Sequence, residues 1–484
     1  MSTNPWLGRL TGQLFIGGTD REGCGGPPIE VVDPSTGQAL ASVADASDAD
    51  AIRAVDAAAT ALPPWSAVAP RRRAEILRRC FELMIEHLDD LAELVSLENG
   101  KALADSRSEI TYAAEFFRWY SEEAVRLAGK LMTAPSGDNK IVVLQQPIGV
   151  AVLVTPWNFP AAMATRKIAP ALAAGCTVVL KPATATPLTA YAIAALAAEA
   201  GVPDGVINVI TTSRSGPVVS AMLHDNRVRK VSFTGSTEVG RTLLAQAADQ
   251  VLVSSMELGG NAPVIVLEDA DLAEALQGVM VAKMRNGGQA CTAANRILVH
   301  SSIHDQFAKM MATAMGDLVV GPGNSPRTQC GPMIDRRAVA KAHELVTQAV
   351  GDGAEVLTGG SVPDRDGSYY PPTVIAGVPR TSSIVSEEIF GPVASLIPFE
   401  DDDDAVQLAN ATEYGLAAYV FGRDLARTFR IAERLESGMV GINRGVVSDP
   451  AAPFGGVKQS GIGREGSQEG IMEFIETKYI AVSW

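Results

Sequence analysis

Short apolar runs recur along this chain at intervals that leave room for one helix between each pair, and few architectures tolerate that rhythm. "GVAVLV", "CTVVL", "GVINVI", "KVSF" and "APVIVL" are each followed by a loop and then a helical pattern, which predicts a parallel sheet of the α/β class. Before them lies "RRRAEILRRCFELMIEHLDDLAELVSLENG", where Leu and Ile recur at three-to-four spacing and Gly100 supplies the stop. A second α/β stretch begins near Cys291 and contains "NRILVH", "AEVLTGG", "AYVFGRD" and "GMVGINRG". A second domain is therefore expected to start between Glu257 and Cys291. Two β-rich segments, "DNKIVVLQQP" and "MEFIETKYIAVSW", fit neither sheet and read as strands that pair in an arm between subunits.

At 484 residues the chain exceeds what one hydrophobic core supports, so two or three structural units are expected. Its most apolar stretches are interrupted: "IAPALAAGCTVVL" stops at Lys181 and "PLTAYAIAALAAEAGVP" contains Glu199. Neither provides the roughly 18 uncharged residues of a membrane span, so no membrane partner is expected. The start, "MSTNPWLGRL", shows no charged segment followed by an apolar run, and the expected location is cytoplasmic. A net charge of −15 repels phosphate backbones, and no basic stripe with interleaved aromatics is visible, which excludes nucleic acid as a partner.

Five cysteines (Cys24, Cys80, Cys176, Cys291 and Cys330) are odd in number and scattered, with no CxxC pair. That argues against a disulfide framework and against a zinc site, and free thiols suit a reducing compartment. The run Asp401 to Asp404 precedes "AVQLANA". It reads as the solvated start of a helix, where carboxylates meet the positive end of the dipole, and not as a metal cluster.

The segment "KVSFTGSTEVGRTLLAQAA" reads as strand, glycine turn and helix, with Gly235 and Gly240 flanking the turn and Ser236 inside it. Free backbone N–H groups at such a helix start attract phosphate. The spacing nearly matches the loop of nucleotide triphosphatases. However, Arg241 replaces the lysine that reaches the outer phosphates, Glu238 places a carboxylate where anions would sit, and no magnesium-binding aspartate is evident on a later strand. A dinucleotide pyrophosphate site is the better reading, with a merely structural turn as its competitor.

Cys291 follows a Gly-Gly-Gln turn in "NGGQACTAANR". A thiol is a nucleophile only as thiolate, a form favoured by helix N-termini or positive groups, and backbone N–H groups are expected beside Cys291. His87, His224, His300, His304 and His343 all lie outside catalytic-looking loops, so a carboxylate is the remaining base. "SMELGGNAP" offers Glu257 at the end of a strand, followed by two glycines that permit close approach. On the residues alone a free cysteine is also a small apolar core residue, and both readings of Cys291 stay open.

Taken together, "TPWNFP" at Thr155, "KPATATP" at Lys181, "FTGSTEVG" at Phe233, "MELGGNAP" at Met256, "NGGQAC" at Asn286, "EEIFGPV" at Glu387 and "PFGGVKQSGIGRE" at Pro453 stand in one order along nearly the whole chain. In this they resemble the aldehyde dehydrogenase family. The resemblance implies a Rossmann-type cofactor domain (1–126, 147–256 and 448–468), an α/β catalytic domain (257–447) and a β-rich oligomerisation arm (127–146 and 469–484), assembled as a homodimer or homotetramer. It implies that Cys291 adds to an aldehyde, that Asn158 donates to the resulting oxyanion, and that Glu257 activates water. NADP or NAD would be held by Trp157, Asn158, Lys181, Thr184, Gly235, Ser236, Leu258 and Glu388, with no metal.

Thr184 stands where NAD-preferring members often carry glutamate. A neutral hydroxyl beside Lys181 removes a carboxylate that would repel a 2′-phosphate, which favours NADP. Within the family the chain is most similar to the branch that oxidises succinate semialdehyde, whose far carboxylate would be gripped by Arg166, Arg285 and Ser448. Arg444 and the pair Asp449-Pro450 depart from that branch near Ser448. Glutarate semialdehyde, one methylene longer, is the nearest competing substrate, followed by uncharged aliphatic aldehydes. The opposing class is a catalytically silent dinucleotide-binding or structural protein.

Overall fold

The computed structural model describes residues 4–483. The first three residues of the start and Trp484 at the end of the terminal β-rich segment lie outside them.

The early helical stretch is two helices, α1 (Pro70–Glu86) and α2 (Leu88–Asn99), because His87 adopts φ −102° and ψ 20° between them. Gly100 ends α2 at φ 85°, a left-handed cap that favours glycine. A third helix, α3 (Leu103–Glu123), packs along α1 and against α4 (Pro160–Ala174). Every residue of α4 is buried, as befits a helix apolar on all sides at the centre of a large core.

The expected strands form two parallel layers. In the first sheet β1 (Val150–Val154), β2 (Thr177–Lys181), β3 (Ile207–Val209), β4 (Val228–Thr234) and β5 (Val253–Glu257) lie in the order 3-2-1-4-5, all parallel. An antiparallel hairpin at Leu14–Ile16 and Thr19–Arg21 closes one edge, and Gly461–Ile462 closes the other. β1 and β2 are buried throughout, the pattern of strands covered on both faces. The helix α5 (Thr237–Ala248) follows β4.

The chain crosses to the second sheet between Glu257 and Ala262. There β6 (Ala262–Val266), β7 (Ala294–His300), β8 (Thr373–Ala376), β9 (Val393–Phe399), β10 (Ala417–Phe421) and β11 (Met439–Ile442) form the order 8-9-7-6-10-11, with Glu355–Thr358 antiparallel at the β8 edge. The helix α6 (Leu272–Met284) joins β6 to the segment before β7. The acidic run behaves as read: Asp401 accepts from the Asp404 N–H and caps the helix Asp402–Asn410.

The two leftover β-rich segments pair with each other. Ile475–Val482 runs antiparallel to Lys140–Pro147, which pairs in turn with Lys130–Thr133. Among the described residues no helix is long and apolar enough to cross a membrane.

Candidate active site

The 3-2-1-4-5 order places a topological switch beside β1, and in open α/β sheets ligands bind in the crevice outside the carboxyl ends of the strands at such a point. The residues singled out in the sequence collect there. Trp157 and Asn158 follow β1, Lys181 ends β2, Gly235 and Ser236 follow β4, and Glu257 ends β5 with Leu258 next. The second sheet meets them with the segments that lead into its strands. The Asn158 side chain donates to the Gln289 carbonyl (3.2 Å) ahead of β7, and Gly260 N–H donates to Glu388 (3.2 Å) ahead of β9.

Cys291 is presented by a tight turn. Asn286, Gly287 and Gly288 all have positive φ (53°, 58° and 76°), and a Cβ on Gly288 would lie 2.1 Å from the Gly391 carbonyl. The turn is tied down by Asn286, whose N–H donates to Asp105 (2.8 Å) and whose side-chain amide donates to the Asn158 carbonyl (2.9 Å). No helix starts beside Cys291: the next element is β7, a strand. Positive charge comes instead from Arg166 and Arg285. Burial is the larger effect and pushes the thiol up to about 12; Arg166 and Arg285 draw it back, while Glu388 and Glu257 reinforce the rise. Burial thus favours the thiol over the thiolate, and forming the nucleophile calls for a proton acceptor.

Glu257 suits that task. Its carboxylate is buried and neither oxygen has a hydrogen-bond partner among the described residues. Burial raises its pKa well above the ordinary carboxylate range. The negative Glu465 adds to the rise, and Lys167, Arg166 and Arg464 oppose it. A Cβ on Gly455 would lie 2.9 Å from a Glu257 oxygen, so that glycine leaves room around the base.

The cofactor candidates retain spare bonding capacity, which fits a dinucleotide. The Lys181 ammonium is buried, its pKa lowered to about 8 by that burial, and among the described residues its one bond is to Ser215 Oγ (3.0 Å). Glu388 is pushed up to about 7 by burial, against the N–H of Gly260 and the charges of Lys341 and Lys283. Ser236 Oγ caps α5 by accepting from Val239 N–H (3.4 Å), which leaves its own proton available. Leu258 presses on α5 so closely that a Cβ on Gly240 would lie 2.5 Å from it. Trp157 stands edge-on to Phe390 with ring centroids 5.4 Å apart. Thr184 is half-buried in the loop after β2.

A cavity of about 490 Å³ opens beside this cleft. Its lining includes Phe159, Met284, Arg285, Tyr112, Ser448 and two carboxylates, Asp105 and Glu109. Arg285 and Ser448 therefore share one cavity. Arg166 does not line it: the guanidinium is buried behind, 4.1 Å over the Phe454 ring.

Several contributors escaped the sequence reading. Lys101 and Glu109 form a buried ion pair. Lys101 also donates to the Asn158 carbonyl (2.8 Å), and Glu109 accepts from the N–H groups of Ala161 (2.8 Å) and Ala162 (3.2 Å) at the start of α4. The pair thus fixes the turn that carries Asn158. Lys167 and Glu465 form a second buried pair beside Glu257. The signal for those two lay inside motifs already quoted, since Lys167 follows Arg166 and Glu465 ends "GIGRE". Lys101 and Glu109 had no such signal.

Comparison with known proteins agrees with this geometry. The aldehyde dehydrogenase family matches residues 21–480. A succinate-semialdehyde dehydrogenase of Paenarthrobacter nicotinovorans is 54% identical over 92% of this chain and 99% of its own length. A glutarate-semialdehyde dehydrogenase of Pseudomonas putida is 48% identical over 97% of this chain and 98% of its own. A solved NADP-dependent enzyme of Escherichia coli superposes with a TM-score of 0.96 at 48% identity, covering 98% of each chain. The match spans nearly the whole chain, both sheets and the site between them included, and the chain belongs to the aldehyde dehydrogenase family.

Proposed function

We propose that this chain oxidises succinate semialdehyde to succinate with NADP as the favoured cofactor, accepting glutarate semialdehyde as a slower or comparable substrate. The observation that carries the substrate class is the cavity beside the nucleophile turn. Arg285 and Ser448 offer donors there, while Glu109 is already occupied by Lys101 and two N–H groups and Asp105 by the Asn286 N–H. The free hydrogen-bonding capacity is thereby weighted toward an anion. Similarity to the succinate- and glutarate-semialdehyde enzymes supports the same class.

In this reading the aldehyde's carboxylate is seated by Arg285 and Ser448, and its carbonyl reaches Cys291. Glu257 takes the thiol proton, the sulfur bonds to the carbonyl carbon, and the oxyanion accepts from the Asn158 amide and the Cys291 N–H. NADP or NAD would be held at Lys181, Thr184, Ser236 and Glu388, enclosed by Trp157, Gly235 and Leu258, and would supply the acceptor for the hydride that leaves that carbon. Cys291 is then left as a thioester. Glu257, having passed the thiol proton to solvent, takes a proton from water, the water oxygen adds to the thioester carbon, and the C–S bond breaks to release the acid and a thiolate that regains its proton from Glu257.

Two comparisons test the reading. The ratio of kcat/KM for succinate semialdehyde to that for butanal should exceed ten in the parent and collapse in Arg285→Ala; equal use of butanal by the parent would overturn it. For the cofactor, Thr184→Glu should shift preference from NADP toward NAD by about tenfold, since a carboxylate there repels the 2′-phosphate. A parent that strongly prefers NAD, unmoved by this substitution, would refute the NADP assignment. A cytoplasmic homo-oligomer, joined through the three-stranded arm, completes the proposal.

A further inference from the structure

The cavity contains a third donor that no sequence motif marked. Tyr112, on α3, lines it together with Arg285 and Ser448. Its ring is fixed edge-on to Phe116, with centroids 5.0 Å apart at 69°. Behind the ring lies Arg166, whose Nη2 donates to the Tyr112 hydroxyl at 2.7 Å. The same guanidinium stands 3.4 Å from Glu465 and over the Phe454 ring, so it is held in place from three sides.

A guanidinium has donors only, so the phenol oxygen must be the acceptor in that bond. Its own O–H is therefore free, and among the described residues it has no other partner. Charge-assisted donation into the oxygen polarises that O–H and makes it a stronger donor than an isolated phenol. Arg166, which does not line the cavity, thus reaches it through Tyr112.

We propose that Tyr112 is a substrate-binding residue that sets specificity: its O–H, backed by Arg166, donates to the far carboxylate of the aldehyde alongside Arg285 and Ser448. This rests on the carboxylated-aldehyde reading given above. Arg166 is then a positioning residue that acts on the substrate through the phenol. An uncharged aldehyde of equal length offers the phenol no anionic acceptor, so Tyr112 separates the two substrate classes.

Tyr112→Phe removes one oxygen and keeps the ring against Phe116. In the holoenzyme the ratio of kcat/KM for succinate semialdehyde to that for butanal should fall about tenfold, with the loss in the KM for succinate semialdehyde rather than in kcat. The inhibition constant of succinate should rise by a similar factor. An unchanged ratio in Tyr112→Phe, in a parent that does favour succinate semialdehyde, would overturn the role of Tyr112 alone; a parent with no such preference would overturn the substrate reading beneath it. Should the phenylalanine variant fail to fold, 3-fluorotyrosine placed at position 112 keeps ring and hydroxyl. Its fluorine resonance should move on saturation with succinate and stay in place with butyramide, and a resonance indifferent to succinate would refute the contact.

Discussion

Glu257 is the residue on which the chemistry turns, and its environment carries a measurable cost. A carboxyl whose folded pKa is raised holds its proton more tightly in the folded chain than in the unfolded one. The unfolded state therefore gains by ionising as pH climbs past the ordinary carboxylate range, and folding stability declines from there until the raised folded value is reached. Glu257→Gln removes this group, so the variant should melt higher than the parent at pH 8, with the gap narrowing toward pH 5. The same substitution should lower steady-state aldehyde oxidation by about a hundredfold or more, since a positioned base contributes 10²–10⁴. Thermal scans at both pH values, set beside turnover measured by nicotinamide absorbance, check the two effects together. A variant that lost activity without gaining stability at pH 8 would show that Glu257 is better satisfied in the resting site than its two unpartnered oxygens indicate.

At the scale of elements, the turn before β7 and the start of α4 hold each other in place. Gly288→Ala would put a methyl 2.1 Å from the Gly391 carbonyl in a backbone conformation that L side chains resist, and should cost about 2 kcal/mol or more of stability along with most activity. Urea unfolding midpoints would measure it. Lys101→Met should be as damaging, because removing one member of a buried ion pair costs roughly 3–5 kcal/mol and here also frees the carbonyl of Asn158. These elements differ in how much of them can be read from the chain. Strands such as β1, β2 and β6 are short apolar runs bounded by loop residues, and the Asn286–Cys291 turn is announced by consecutive glycines. The groups that fix the turn carrying Asn158 are Lys101, just past α2, and Glu109 on α3, which lie 57 and 52 positions from the groups they bind. A lysine and a glutamate eight residues apart look like any solvated helix surface until tertiary contact buries them. The same holds for Tyr112, an aromatic residue on an amphipathic helix whose face is unknowable before α3 meets α4.

For the molecule as a whole, the arm is the feature a lone chain leaves unexplained. Three strands, Lys130–Thr133, Lys140–Pro147 and Ile475–Val482, form a sheet that leaves Leu131 70% exposed, Met132 50%, Tyr479 58% and Ile480 40%. A sheet of this size is marginal without an apolar face to bury, and a cluster of large exposed side chains marks an interaction surface. The formal charge of −15 disfavours indiscriminate association, so any partner surface has to outweigh that repulsion specifically, and a second copy of the chain would supply one with the same arm. Light scattering at micromolar concentration should therefore return a dimer or tetramer. Placing a charge on the arm through Leu131→Asp combined with Tyr479→Asp should lower the mass toward the monomer while leaving the two sheets folded, since neither side chain belongs to a buried cluster. A parent that scatters as a monomer, or a doubly substituted chain of unchanged mass, would remove the arm from assembly and require another account of its exposed apolar surface.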